Sequence, residues 1–241
     1  MRLVVALVGL TALAPACASP DDSDSVVVFA AASLTGAFSE IEDAFEANHP
    51  AVDVVLNLAA SSSLAAQISE GAPVDVFASA DEANMNLVAE RVVGDVVTFA
   101  HTRLQIITEA GNPLDVTSLA DLARPSILFV TCDPTVPIGR YTADVLARAG
   151  VEPRPVSLEE SVKGIVTKVT SGEADVGIVY ATDVLAAGSS ASGVEIPEEF
   201  NVTVSYPIAR FSASRAAQEF VEFMSSDEAT TILDAYGFDL P

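Results

Sequence analysis

Residues 26–38 read VVVFAAASLTGAF, and their order decides the fold. Val26-Val27-Val28-Phe29-Ala30 is an unbroken apolar run, the pattern of a short strand buried on both faces. It gives way at once to small residues and hydroxyls, Ala31-Ala32-Ser33-Leu34-Thr35. From there the apolar positions change period. Leu34, Phe38, Ile41 and Phe45 fall at helical spacing, with Glu40, Glu42 and Glu46 between them. Asn48-His49-Pro50 stops that helix. A buried strand that turns through small residues into an amphipathic helix is the repeating unit of an α/β protein.

The same alternation runs outward from this segment. Val52 to Leu58 is the next strand, and Leu64 to Ser69 begins the next helix. Gly71-Ala72-Pro73 breaks that helix, and Val74 to Ser79 is a third strand. Beyond residue 100, Leu104 to Thr108, Ile127 to Val130 and Val176 to Tyr180 read as strands. Tyr141 to Ala149 reads as a helix with Gly150 placed to stop it. Val162 to Thr170 is another, with Val162, Ile165, Val166 and Val169 on one face. Near the end, Ala217, Phe220, Val221 and Met224 form one helical stripe, and Ala229, Ile232, Leu233 and Tyr236 form a second. The pattern predicts mainly parallel sheets with helices on both faces, in one large domain or two small lobes.

Composition narrows the function. Half of the 241 residues are hydrophobic and only 19% are charged, which excludes a disordered chain. Acidic side chains outnumber basic ones 34 to 11, for a net charge of −23. Nucleic acid is therefore not a partner, because phosphate binding needs clustered Lys and Arg. Lys163 and Lys168 are the two lysines, so no polybasic membrane patch exists either. Taken at face value, the acidity points to a cationic ligand.

Residues 1–16, MRLVVALVGLTALAPA, place Arg2 before an apolar run that is too short for a spanning helix of ~20 residues. They read as a secretory signal peptide. Cys17 stands at the cleavage point and is followed by the polar tether of residues 17–24. This is the arrangement of a lipid-anchored, exported protein, while ordinary cleavage after Ala14-Pro15-Ala16 is the competing reading. With Cys17 acylated, Cys132 has no partner and reads as a buried, inert thiol.

Three strand-to-helix loops carry unusual chemistry. In the first, Ser33 sits where an N-cap would be, beside the free N–H groups of a helical turn. The second, Ala59-Ala60-Ser61-Ser62-Ser63, holds three consecutive hydroxyls, more than capping needs. Two such loops face to face offer hydroxyls, backbone N–H groups and helix N-terminal partial charge to an oxyanion. The third is Asp133-Pro134-Thr135-Val136-Pro137-Ile138-Gly139-Arg140-Tyr141. There Gly139 permits close backbone approach, and Arg140 reads as a solvated residue of a first helical turn. Tyr180, at a strand end, either offers its hydroxyl to the site or is a core tyrosine. No G-x-S-x-G elbow, H-E-x-x-H motif or Walker loop occurs. His49 and His101 lie outside the polar loops, so no base stands beside Ser33 or Ser61 in sequence.

Taken in order, VVVFAAASLTGAF (26–38), SSSLAAQISEGAPVDVFASAD (61–81), DPTVPIGRY (133–141), GEADVGIVYATD (172–183), SYPIA (205–209) and YGF (236–238) resemble the periplasmic molybdate-binding proteins of bacterial ABC transporters. These are type II-like solute-binding proteins, and the resemblance covers essentially everything after the tether. It implies two lobes joined by two hinge strands, with lobe I formed by residues 25–103 and 206–241 and lobe II by 104–205. It also implies an oxyanion held in the cleft by neutral donors alone. These are Ser33, Ser61 (with Ser62 as the alternative), the backbone N–H groups of Ile138 and Val162, and the hydroxyl of Tyr180. Ile138 stands where relatives often have alanine. The implied ligand is molybdate or tungstate, taken as an oxyanion with no metal coordinated by side chains, and the implied partner is a membrane permease. The resemblance further implies a monomer with no cofactor and no enzymatic step. A binder of sulfate or another tetrahedral oxyanion and a secreted serine hydrolase are the competing readings.

Overall fold

A computed structural model of the chain describes residues 24–241. The expected signal peptide and Cys17 lie outside the described residues. Among those that are described, no helix is long and apolar enough to cross a membrane.

The chain opens with β1 (Asp24–Ala31), a 3-10 turn at Ala32–Leu34 and α1 (Thr35–Asn48). Then come β2 (Val52–Ala59), α2 (Ser61–Ser69), β3 (Val76–Ala78), α3 (Glu82–Leu87) and β4 (Val93–Thr102). The second half holds β5 (Leu104–Glu109), β6 (Phe129–Cys132), α4 (Pro137–Ala149), β7 (Ser157–Glu159) and α5 (Val162–Thr170). It continues with β8 (Val176–Tyr180), α6 (Ala181–Ala187) and β9 (Ala191–Glu195). β10 (Val204–Arg210), α7 (Arg215–Phe223) and α8 (Asp227–Ala235) close the chain.

The strands form two sheets, ordered β2-β1-β3-β10-β4 and β7-β6-β8-β5-β9, one to each lobe. The apolar run that opened the sequence reading lies inside the first. Val26, Val28 and Ala30 of β1 are fully buried, and Val28 stands opposite Leu56 on one side and Val76 on the other. The expected sheets with helices on both faces are present and mainly parallel, with one strand in each, β10 and β5, running against the other four. β1 pairs in parallel with β2 and β3, but β10 runs antiparallel to both β3 and β4. Likewise β6 is parallel to β7 and β8, whereas β5 is antiparallel to β8 and β9. The antiparallel members are the strands that carry the chain between the lobes. β4 runs into β5 through Arg103 alone, and β10 returns beside it with Val204 opposite Thr102. Asn201 ties the two crossings together, since its Oδ1 accepts from the Leu104 N–H (3.1 Å) and its Nδ2 donates to the Leu104 carbonyl (2.9 Å).

The helical stripes pack as their spacing requires. Leu34, Phe38, Ile41 and Phe45 are fully buried, and Phe45 meets Phe220 of α7 edge-on at 5.2 Å. Gly150 ends α4 in the left-handed conformation (φ 66°), as a helix-stopping glycine does. Several element boundaries move, among them the start of α2 from Leu64 to Ser61. α4 starts at Pro137 rather than Tyr141, because proline at the first helical position has no N–H to satisfy. β6 begins at Phe129 because the Leu128 N–H is taken by the Asp175 carboxylate (2.6 Å). β3 is trimmed to three residues, since Asp75 before it turns its carboxylate onto the Val27 N–H (2.9 Å). Cys132 closes β6, and burial pushes its thiol up to about 12, which leaves it protonated and unreactive at neutral pH.

Candidate functional site

The loops at the carboxyl ends of β1, β2 and β3 face the N-termini of α4 and α5 and the end of β8 across the cleft. They enclose a cavity of about 20 Å³. That is room for a compact ion, far below the several hundred Å³ of an organic ligand's pocket. The first lobe contributes Ala31, Ala32, Ser33, Ala60, Ser61 and Ala80. The second contributes Val136, Pro137, Ile138, Ser161, Val162 and Tyr180. Ser33, Ser61, Ile138, Val162 and Tyr180 therefore meet at one place, and none of the lining residues carries a charge. Ser62 does not line the cavity, because the first turn of α2 carries it round to a half-buried position.

Ser33 and Ser61 are each held as a donor by a partner from another element. Ser33 is not an N-cap as expected. It sits inside the 3-10 turn, and no side chain caps either that turn or α1. Instead its Oγ accepts a hydrogen bond from the Tyr206 hydroxyl of β10 (3.1 Å). Ser61, itself 1% exposed, accepts from the Ala80 N–H (3.0 Å). A hydroxyl has one hydrogen to give. With its oxygen engaged by a protein donor, each serine is left to direct that hydrogen elsewhere, and the cavity is where both side chains stand. Among the described residues the Tyr180 hydroxyl takes no protein partner. Burial holds its pKa well above the usual 10, so it stays protonated and able to donate throughout the neutral range. Burial does the same for Tyr206, which keeps Ser33 supplied with its donor.

The helices add backbone donors. The 3-10 turn Ala32–Leu34 that precedes α1, together with α2, α4 and α5, points its N-terminus at the cavity, and none of the four has a side-chain cap. α3, α7 and α8, which line no part of the cavity, are capped by Asp81, Ser214 and Ser226, whereas α6, which follows Tyr180, is not. The first N–H groups of a helix have no intrahelical partner. Leaving this turn and three helices uncapped at one point assembles free N–H groups and partial positive charge without a single cation. Val162 is the first residue of α5 and Ile138 the second of α4, so both carry such an N–H group.

Two expectations about the third loop change. Gly139 does admit a close backbone approach, but the approaching backbone belongs to its own loop. A Cβ there would lie 2.1 Å from the Asp133 carbonyl oxygen and 2.7 Å from that of Cys132. Arg140, expected to be solvated, forms an ion pair with Asp81 of the opposite lobe. The histidines stay apart from the cavity. His49 stacks on Phe45, and His101 meets Ser205 on the crossing strands, so neither can activate a lining serine. Ala80, Ser161 and Tyr206 were absent from the expected set. A lone alanine or a tyrosine in an apolar strand gives no sign that its backbone or hydroxyl will orient a serine from another loop.

A family model for bacterial extracellular solute-binding proteins matches residues 26–239. The molybdate-binding protein ModA of Mycobacterium tuberculosis is 41% identical over 222 residues, which span 90% of this chain and 85% of that protein. Among solved structures, the substrate-binding domain of a putative molybdenum ABC transporter from Clostridium difficile matches with a TM-score of 0.69 at 29% identity, over 91% of this chain and all of that one. The periplasmic molybdate-binding protein of Azotobacter vinelandii shares the fold, with a TM-score of 0.77 at 22% identity over 90% of this chain and 99% of that one.

Proposed function

The chain belongs to the bacterial extracellular solute-binding proteins, and on that premise we propose that it captures molybdate in the cleft and delivers it to a membrane ABC permease. The family is one of solute-binding proteins, not enzymes. The observation that carries the oxyanion reading is the convergence of the uncapped N-termini of the Ala32–Leu34 turn, α2, α4 and α5 with two serines whose oxygens are already occupied by protein donors, and the choice of molybdate rests on the likeness to ModA. The ion would take hydrogen bonds from Ser33, Ser61, the Ile138 and Val162 N–H groups and Tyr180. Lobe I would comprise residues 25–103 and 206–241, and lobe II residues 104–205. The chain would act as a monomer tethered through an acylated Cys17.

The chemistry supports this reading. A tetrahedral dianion accepts many hydrogen bonds, and preorganised neutral donors meet that need with little reorganisation on binding. Hydrogen phosphate carries a proton that a donor-only site leaves unpaired, which costs affinity. Tungstate has nearly the size of molybdate and is expected to bind as well. Sulfate has the same charge and shape, so its rejection rests on cavity size. The serine hydrolase reading has no base to support it. A melting panel tests the proposal. Molybdate and tungstate at roughly 1,000 times their dissociation constants should each add about 4 kcal/mol of stability, with no comparable effect of phosphate. A shift with sulfate and none with molybdate would move the assignment to another oxyanion.

The acidity that first pointed to a cationic ligand acts differently. A net charge of −23 sets up a long-range field, whereas the ligand is chosen by local donors. That field opposes an approaching dianion and is screened beyond ~10 Å at about 0.1 M salt. Stopped-flow association of molybdate is therefore expected to speed up as sodium chloride rises from low to moderate concentration. Rates that fall or stay flat would contradict it.

A further inference from the structure

We propose that Asp81 and Arg140 form a latch across the cleft that stabilises the closed state of the two lobes and sets how long the ligand is retained; this rests on the reading of the cleft as the binding site. Asp81 follows Ala80, whose N–H orients Ser61, and it caps α3 on the first lobe. Its carboxylate is nearly buried and fixed from behind. Oδ1 accepts from the Asn84 N–H (2.8 Å) and from Asn84 Nδ2 (2.9 Å). Arg140 belongs to the second lobe. It lies in the first turn of α4, two residues after Ile138, and its guanidinium pairs with the other carboxylate oxygen, Oδ2, which also accepts from Asn84 Nδ2 (3.2 Å). The pair stands in a groove of about 270 Å³ between the lobes, beside Tyr141, Ser205 of β10 and Thr203 just before that strand. Other charged pairs among the described residues stay within one lobe: Arg124–Asp121, Lys163–Asp183, Lys168–Glu159 and Arg215–Glu219.

The placement gives the pair a differential effect. When the lobes part, Asp81 keeps its Asn84 contacts and Arg140 returns to water, so the charge-assisted bond exists in the closed state alone. An interaction made in one of two states shifts the balance toward that state and no further than its own strength. Arg140 also cancels a carboxylate one residue away from the cavity wall, where bare negative charge would oppose a dianion. Because the ion enters while the lobes are apart and the pair is unmade, loss of the latch should appear in the dissociation rate rather than in association.

Stopped-flow kinetics with molybdate test this. Arg140→Gln and Asp81→Asn should each raise the dissociation rate roughly tenfold and change association by less than about threefold. Asparagine also caps helices, so Asp81→Asn keeps the start of α3. The double variant should release the ion no faster than the faster single variant, and Arg140→Lys should recover part of the retention. Unchanged dissociation rates, or rate increases that multiply in the double variant, would overturn the latch. A ligand-free readout separates it from the choice of cargo. With spin labels on exposed sites of the two lobes, Arg140→Gln should shift the distance distribution toward longer separations, and identical distributions would also overturn the latch. Failure of the wild-type chain to bind molybdate would sink the cargo and leave the distance measurement to judge the latch.

Discussion

Ser61→Ala is expected to weaken molybdate binding by about 1–3 kcal/mol, a five- to 150-fold rise in the dissociation constant, while Ser62→Ala changes it by less than about twofold. The two serines are neighbours in sequence and differ in what the fold does with them. Ser61 is buried against the Ala80 N–H, and its oxygen is engaged there (3.0 Å), which leaves its hydrogen for the ligand. Ser62 is half-buried and lies off the cavity. Truncating Ser61 removes a donor to a charged oxygen and also strands the Ala80 N–H beside the cavity. Ser33→Ala should cost a similar amount, because the Tyr206 hydroxyl that now donates to Ser33 loses its acceptor. Calorimetric titration of each variant, with its melting temperature measured in parallel, separates lost binding from lost folding. Unchanged affinity in both Ser33→Ala and Ser61→Ala would remove the two hydroxyls from the site.

Gly139→Ala is the second large effect. The methyl group would overlap two backbone carbonyls, those of Asp133 and Cys132, and backbone cannot move aside as the tip of a side chain can. The expected cost is about 1–3 kcal/mol of stability. Affinity should fall as well, because relieving the overlap shifts the first turn of α4 and with it the Ile138 N–H. Gly150→Ala, at the other end of the same helix, is the control. It strains a left-handed cap residue (φ 66°) with nothing crowding its Cβ position, so it should lower stability while leaving affinity unchanged. Denaturant midpoints together with molybdate titrations distinguish the two positions. A Gly139→Ala protein with wild-type stability and affinity would show that the loop adapts at no cost.

These residues also mark how far the sequence could be read. Periodicity alone found α5 and β8 to the residue, and it found the buried stripe of α1, because a buried face dictates spacing locally. The polar loops stood out as small residues and hydroxyls placed between strand and helix. What the sequence withheld was long-range. The acceptor role of Ser33 depends on Tyr206, 173 residues away, and the pairing of Arg140 depends on Asp81, 59 residues away. Local pattern gives an arginine in a first helical turn to solvent, and only the approach of the second lobe supplies its carboxylate. The one reversed strand in each mainly parallel sheet was hidden for the same reason. A crossing strand is as apolar as a parallel one, and its direction is set by where the chain enters and leaves a lobe. Net charge misled most, since it reports the whole surface and the ligand answers to a few uncharged groups.

The central claim is that a tetrahedral dianion is bound by neutral donors alone. Titration calorimetry of molybdate at pH 7, repeated in two buffers of different ionisation enthalpy, tests it most directly. Protonated hydroxyls and backbone N–H groups exchange no proton on binding, so the account predicts one ion per chain and the same heat in both buffers. Absence of binding, or a heat that changes with the buffer because a titrating group gains or loses a proton with the ion, would contradict it.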